Sequence, residues 1–232
     1  FKGDGLQEFI ESILEKTGSN NKFSDLGCEF YIGATDQDTF EHVVFGKAPY
    51  DQVEISKAIR ASCALPPFFL PTVIDGRWYI DGQITKTCNL EYVIERNCKL
   101  CFIIDPMRPH ISLEAGANDA RGGIYSIIQT IKALVASRFD QTLRHITELY
   151  PQVDFWIFQP DEECAKLMSG SPMRYKIRTQ IIELAYKGVL RKLQERYHVY
   201  KAILGKYNFK LKPAETLLAL ENEGLKLEVE EL

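Results

Sequence analysis

The sequence predicts an α/β chain, and three observations lead there. First, Asp75-Gly76 sits between the runs Thr72-Val73-Ile74 and Trp78-Tyr79-Ile80. An Asp-Gly pair between two strand-like runs favours a hairpin, because both central residues of the tight turn take positive φ. Second, Lys99 to Ile104 and Asp154 to Gln159 are short apolar runs of strand length, apolar on successive residues as buried parallel strands require. Third, apolar residues recur at helical spacing from Ile124 through Ile128, Val135 and Phe139 to Ile146, and again from Ile177 through Leu184 and Leu193 to Tyr200.

Each element has its own signal. Leu6, Phe9, Ile10, Ile13 and Leu14 predict a helix over 6–16, stopped at Gly18 and succeeded by the Ser19-Asn20-Asn21 loop. Strands are expected at 29–35 and 42–45, antiparallel across the Asp36 to Thr39 connection. Ser56 is placed to cap a short helix ending at Ser62, before Pro66-Pro67 forbids its continuation. After the 72–80 hairpin, Asn89 is placed to cap a helix over 90–96, and the 99–104 strand comes next. Helices are expected over 120–150 and, in one piece, 174–204, with Gly205 as C-cap. Residues 1–212 read as one domain without repeats or linkers, and 213–232 as an acidic tail whose glutamates from Glu221 onward are solvated.

Composition narrows the function classes. Apolar residues make up 45% and charged residues 26% of the 232, ordinary values for a globular core. A net charge of −4 offers no basic face for nucleic acid. No apolar run approaches the ~20 residues of a membrane span. The six cysteines are scattered and suggest free thiols in a reducing compartment rather than a disulfide framework. The location this implies is cytoplasmic or peripheral to a membrane.

A second Asp-Gly pair, Asp81-Gly82, ends the run Trp78-Tyr79-Ile80. A strand delivers a side chain to the rim of its sheet there, so Asp81 is either a plain turn residue or a site residue. A carboxylate with an ordinary pKa of ~3.9 is a weak base. Apolar surroundings raise that pKa, and Trp78, Tyr79, Ile80 and Ile84 are placed to supply them. Gly82 allows a close backbone approach.

The ordered set Ala58-Ile59-Arg60-Ala61-Ser62 with Ala64 and Pro66, then Asp75 to Gly82, then the strand from Leu100 to Asp105, resembles the patatin-like phospholipase family. Phe30 to Asp36 with Val43-Val44-Phe45 is similar to the hairpin that precedes this region in the family. The resemblance covers about the first half of the chain and implies a three-layer α/β fold with a central, mostly parallel sheet. It also implies a lipid acyl hydrolase without metal or organic cofactor, acting on a lipid ester at a membrane or micelle surface. In the family a Ser in Gly-x-Ser-x-Gly attacks the ester and an Asp of an Asp-Gly-Gly or Asp-Gly-Ala motif is its base, which by position is Asp81. Two departures stand out: Gln83 takes the third place of the Asp motif, and no Gly-x-Ser-x-Gly occurs in the 232 residues. The segment from Phe1 to Glu15 resembles the family's segment after the nucleophile, so the expectation is a C-terminal part of a patatin domain. The rival is a non-catalytic lipid-binding or scaffold relative.

Other residues admit sharper and plainer readings. Ser62 lacks the flanking glycines of a nucleophile elbow and suits a helix end. Arg60 either braces loops around the site or lies on a helix surface. Cys98 and Cys101 have a metal or redox spacing but read more simply as two core thiols, since zinc needs further ligands. The four histidines show no ligand spacing. Asp36 reads as the first residue of a turn. Phe68-Phe69-Leu70 is either core or the wall of an acyl pocket, core being the simpler.

Overall fold

The computed structural model describes residues 1–116, 121–170 and 174–225. It contains two compact units, Phe1–Leu90 and Glu91–Leu232, where the sequence suggests a single 1–212 domain.

In the first unit, α1 (Asp4–Lys16) precedes β1 (Ile32–Asp36), β2 (His42–Phe45), α2 (Ile55–Ser62), β3 (Thr72–Ile74) and β4 (Arg77–Asp81). The strands form one sheet in the order β2-β1-β4-β3, every pairing antiparallel. The hairpins expected at 29–45 and 72–80 are both present. Asp75 and Gly76 take φ of 49° and 78°, and the register Ile74↔Arg77 leaves them alone in the loop. This is the positive-φ pair that the tight hairpin turn demands. Asp36 starts its turn as expected: its Oδ1 accepts from the amides of Asp38 and Thr39 at 3.0 and 3.1 Å.

The core of this unit lies between the sheet and α2. Phe45, Ala34, Ala58 and Ala61 are fully buried, with Tyr79, Ile55 and Ile74 around them. Alanines at 34, 58 and 61 let the helix backbone sit close to the strands, and the rings of Phe45 and Tyr79 meet edge-on at 5.3 Å in the geometry their quadrupoles favour. Burial pushes the Tyr79 phenol up to about 12. Ser56 does not cap α2 as expected, because the helix begins at Ile55 with Glu54 at the N-cap. Its hydroxyl instead ties α2 to α1 and to the loop after it, donating to Glu11 at 3.0 Å and accepting from Asn21 at 2.7 Å. Phe68 and Phe69 are half-buried and Leu70 is 57% exposed. The three therefore stand outside the core: the turn after α2 holds the Phe68 and Phe69 amides on the Leu65 carbonyl, and the Leu70 amide donates to the Phe1 carbonyl.

In the second unit, α3 (Leu90–Glu95) and β5 (Leu100–Ile104) lead to the long α4 (Gly122–Leu149), then β6 (Asp154–Phe158), α5 (Glu162–Leu167), α6 (Arg178–Glu195), α7 (Tyr197–Lys206) and α8 (Ala214–Glu223). β5 and β6 pair in parallel, Leu100↔Asp154 through Ile104↔Phe158. The expected mostly parallel central sheet is therefore not what the described residues form: the larger sheet is antiparallel and parallel pairing is confined to these two strands. β5 is also not buried on both faces. Cys101 and Ile103 are buried, whereas Phe102 and Ile104 are 51% and 80% exposed. Trp156 of β6 stacks on Tyr200 of α7 at 4.3 Å and fixes the covered part of that face.

The single helix expected over 174–204 is broken. Arg196, at φ −118° and ψ 29°, separates α6 from α7. Gly205 lies within the last turn of α7 rather than capping it. Within the expected tail, 214–223 is helical with Leu217 buried. Glu221 is held by Arg191 at 3.0 Å and Gln194 at 2.8 Å, so it docks α8 on α6 instead of fraying. The rest of the expected acidic tail, from residue 226, lies outside the described residues. Among the described residues no helix is long and apolar enough to cross a membrane.

Candidate functional site

Asp81 is the last residue of β4, paired with Ala34 of β1. Its amide donates to the Ala64 carbonyl at 3.1 Å, just past the end of α2. Its backbone carbonyl accepts from the fully buried Thr35 hydroxyl at 3.0 Å. The chain then turns through a 3-10 segment, Gly82–Ile84, and Oδ1 of Asp81 caps it by accepting from the Gln83 amide at 2.8 Å. That bond uses the backbone of residue 83, so Gln in place of Gly or Ala leaves it intact. No described residue donates to Oδ2.

Burial holds the Asp81 carboxyl above its ordinary 3.8, against the weaker opposing pull of the Gln83 amide. The cause is the one that turns a poor base into a better one: desolvation disfavours the anion. The effect reaches the nearby thiol. Desolvation around the Cys63 sulfur, and then the Asp81 charge, push Cys63 upward, even though the residue as a whole is exposed.

Gly82 is required by the sheet beside it. A Cβ there would stand 2.5 Å from the Gly33 carbonyl oxygen and 2.7 Å from its carbon. Backbone closer than that of any side-chain-bearing residue is how β1 and the turn after β4 pack together. Gly33 is itself confined: its Cβ would meet Asn89 Nδ2 at 2.7 Å and His42 Cε1 at 2.9 Å.

Residues 1–94 match the patatin-like phospholipase family. The match takes in the whole first unit, with Asp75-Gly76, Asp81-Gly82 and the strands that position them.

The other residues singled out from the sequence of this patatin-like segment separate clearly. Arg60 is held by three partners at the start of α1. Its guanidinium donates to the Lys2 carbonyl at 2.9 Å and Gln7 Oε1 at 3.1 Å and pairs with Asp4 at 2.9 Å, tying α2 to the start of α1. Ser62 closes α2, with Cys63 as its C-cap, and no hydrogen bond joins it to Asp81 among the described residues. Asp36 does more than start a turn: its Oδ2 also pairs with Arg77 Nε at 2.6 Å, which holds its carboxyl below the ordinary range. Outside the matched segment, Cys98 donates its thiol to the Leu100 carbonyl at 2.9 Å and Cys101 is buried. Among the described residues no group of three or more His, Cys, Asp or Glu is arranged to hold a metal.

Sequence reasoning passes over Thr35, His42, Thr85 and Asn89. Thr35 and Thr85 hydroxyls meet at 2.8 Å. Thr85 also lies 3.2 Å from His42 Nδ1, and His42 Nε2 lies 2.8 Å from Asn89 Oδ1. Only the register Thr35↔His42 and the turn after β4 bring these four together, and neither is visible as a spacing motif. The sequence points to Asn89 as a helix cap, and it directly precedes α3; its side-chain oxygen also faces the histidine.

Proposed function

We propose that the chain is the C-terminal part of a patatin-like domain, spanning 1–212 in a three-layer α/β arrangement, with 213–232 as its acidic end. Its activity on this reading is lipid acyl hydrolysis by a Ser-Asp dyad. Asp81 is the base, and the Ser lies outside these 232 residues. The observation that carries the reading is the state of Asp81: a part-buried carboxyl in the matched segment, held above its ordinary pKa by burial, with only one oxygen engaged. Perturbed carboxylates of this kind concentrate at working sites.

A Ser hydroxyl needs an adjacent base to attack an ester. Asp81 takes the hydroxyl proton as the Ser oxygen bonds to the carbonyl carbon, and passes it to the departing alkoxide. Water then enters by the same route: Asp81 takes its proton as the water oxygen bonds to the acyl carbon, and returns that proton to the Ser oxygen as it leaves, which restores the hydroxyl and the carboxylate. The raised pKa favours the first step, because a carboxylate nearer the operating pH is the stronger acceptor. The Gln83 amide fixes Oδ1, so the carboxylate presents one orientation. The substrate is a phospholipid or neutral-lipid ester, met at a membrane or micelle surface.

The test uses the protein expressed with its native upstream coding sequence and assayed on mixed phospholipid micelles. Asp81→Asn is expected to fold normally and lose turnover by about 10²–10⁴-fold, the usual worth of a positioned base. A variant retaining full activity removes Asp81 from the mechanism. A wild-type protein without turnover on any lipid ester favours the non-catalytic relative.

A further inference from the structure

The four polar groups behind Asp81 form one continuous line. It runs from Asn89 Oδ1 to the His42 ring (2.8 Å), from Nδ1 to the Thr85 hydroxyl (3.2 Å), from there to the Thr35 hydroxyl (2.8 Å) and on to the Asp81 carbonyl (3.0 Å). Its two ends are both carbonyl oxygens and accept only. Between them stand two hydroxyls, each with one proton to give, and a ring whose count depends on charge.

Counting protons decides what the line can do. With both ring nitrogens protonated, Nε2 donates to Asn89 and Nδ1 to Thr85. Thr85 then donates to Thr35, and Thr35 to the Asp81 carbonyl, so every link is made. With the ring neutral and its proton on Nε2, where the Asn89 oxygen holds it, Nδ1 becomes an acceptor. Thr85 turns its proton to Nδ1, Thr35 turns its own to Thr85, and the Asp81 carbonyl loses its donor. The one other acceptor for Thr85, the Gly82 carbonyl, is 3.5 Å away and belongs to the same turn. Thr35 is fully buried and Asp81 half-buried, and a carbonyl shielded from water without a donor is costly.

We propose that His42 is a positioning residue for Asp81, acting through Thr85 and Thr35, with its protonated form holding the Asp81–Gly82 peptide in place and its neutral form releasing it. The inference rests on the reading of Asp81 as the base for its meaning, but not for its test. The uncharged groups facing the ring include Gly33 of β1, Thr85 and Asn89. The ionisable residues adjoining these positions in the chain are Glu41, Lys86 and Glu91, and Asp81 stands at the far end.

The measurement is a pH titration of the 232-residue chain by nuclear magnetic resonance, tracking the His42 ring nitrogens, the residue 81 carbonyl carbon and the Gly82 amide nitrogen. The last two share the peptide whose oxygen Thr35 holds. It is run on Asp81→Asn, so that the carboxyl's own titration does not enter. The expected result is that the residue 81 and Gly82 signals shift with the same midpoint as His42. Adding Thr85→Val, which keeps the shape and removes the hydroxyl, is expected to abolish the shift at 81 and 82 while His42 still titrates; Thr85→Ser is expected to restore it. Signals at 81 and 82 that stay flat while His42 titrates overturn the proposal, and that titration decides the matter even if Thr85→Val fails to fold. Coupling observed together with an active Asp81→Asn parent enzyme leaves this link standing and removes the catalytic reading.

Discussion

Two carboxylates stand at opposite ends of the same strand pair and are treated in opposite ways. Asp36 pairs with Tyr79 across the β1–β4 ladder, and Asp81 pairs with Ala34 two steps away. Asp36 is buried, accepts from two backbone amides and is joined to Arg77. Asp81 is half-buried and accepts from a single amide. Bonds to the anion hold Asp36 low, whereas burial without enough of them holds Asp81 high. A carboxylate with a structural task is given partners until its charge is stable. One left desolvated and half-partnered costs the fold something, and that cost is the usual mark of a group kept for chemistry.

The backbone approach at Gly82 sets the largest expected effect, because it fixes where the Asp81 end of the ladder lies. Gly82→Ala places a methyl group against the Gly33 backbone, where there is no flexible side chain to move aside. The expected loss is about 3 kcal/mol, at the upper end of overpacking costs, read as a drop in the urea midpoint at unchanged slope. A change below about 0.5 kcal/mol means that the two backbones separate easily, and that the Asp81 turn is not fixed by the sheet.

The comparison itself is tested by pH. Asp36→Asn keeps the acceptor for the turn amides but loses the ion pair, with an expected cost of about 1–2 kcal/mol at pH 7. The Asp36 carboxyl is lower in the folded state than its ordinary 3.8, so its contribution is present above that value and is lost as pH falls through the folded pKa. The penalty of Asp36→Asn is therefore expected to shrink in acid. Asp81 carries the opposite sign. Its folded pKa is raised, so what it contributes is present below 3.8 and lost as pH rises through the folded value. Asp81→Asn is accordingly expected to match or exceed wild-type stability at pH 7 and to converge with it in acid. Denaturant midpoints at several pH values check both, and two variants with the same pH trend erase the distinction between the carboxylates.

Much of the first unit was legible because its signals are local. Asp75-Gly76 needs positive φ whatever surrounds it, Asp36 caps its own turn, and Pro66 stops α2 within a few residues. Of the candidate site, the place of Asp81 and Gly82 was legible, since they lie at a strand end the hairpin already locates. The line from Asn89 to Thr35 was not, since it depends on a register between strands and on a turn after β4. Arg60 was ambiguous for a similar reason: its partners are Lys2, Asp4 and Gln7, more than fifty residues earlier. In the second unit the apolar count of Lys99 to Ile104 suggested burial on both faces. Counting apolar residues does not say how many layers will cover them, and Phe102 and Ile104 remain exposed. Arg196 breaks a helix whose apolar stripe continues past it, so periodicity alone joined α6 to α7.

The smallest expected effect belongs to the third carboxylate of the sheet. Asp75 lies in the β3–β4 turn, exposed, at φ 49°. That position asks of its residue only tolerance of the left-handed region, and Asn meets it as well as Asp does. Asp75→Asn is therefore expected to change stability by less than about 0.5 kcal/mol, the range of surface substitutions away from special features. The activity of the full protein is expected to be unaltered, although Asp75 is six residues from Asp81 and is likewise succeeded by Gly. Thermal melts and one lipid assay are sufficient. A loss of activity comparable to that of Asp81→Asn shows that the hairpin turn takes part in the site, and the two Asp-Gly pairs then no longer divide into a turn and a base.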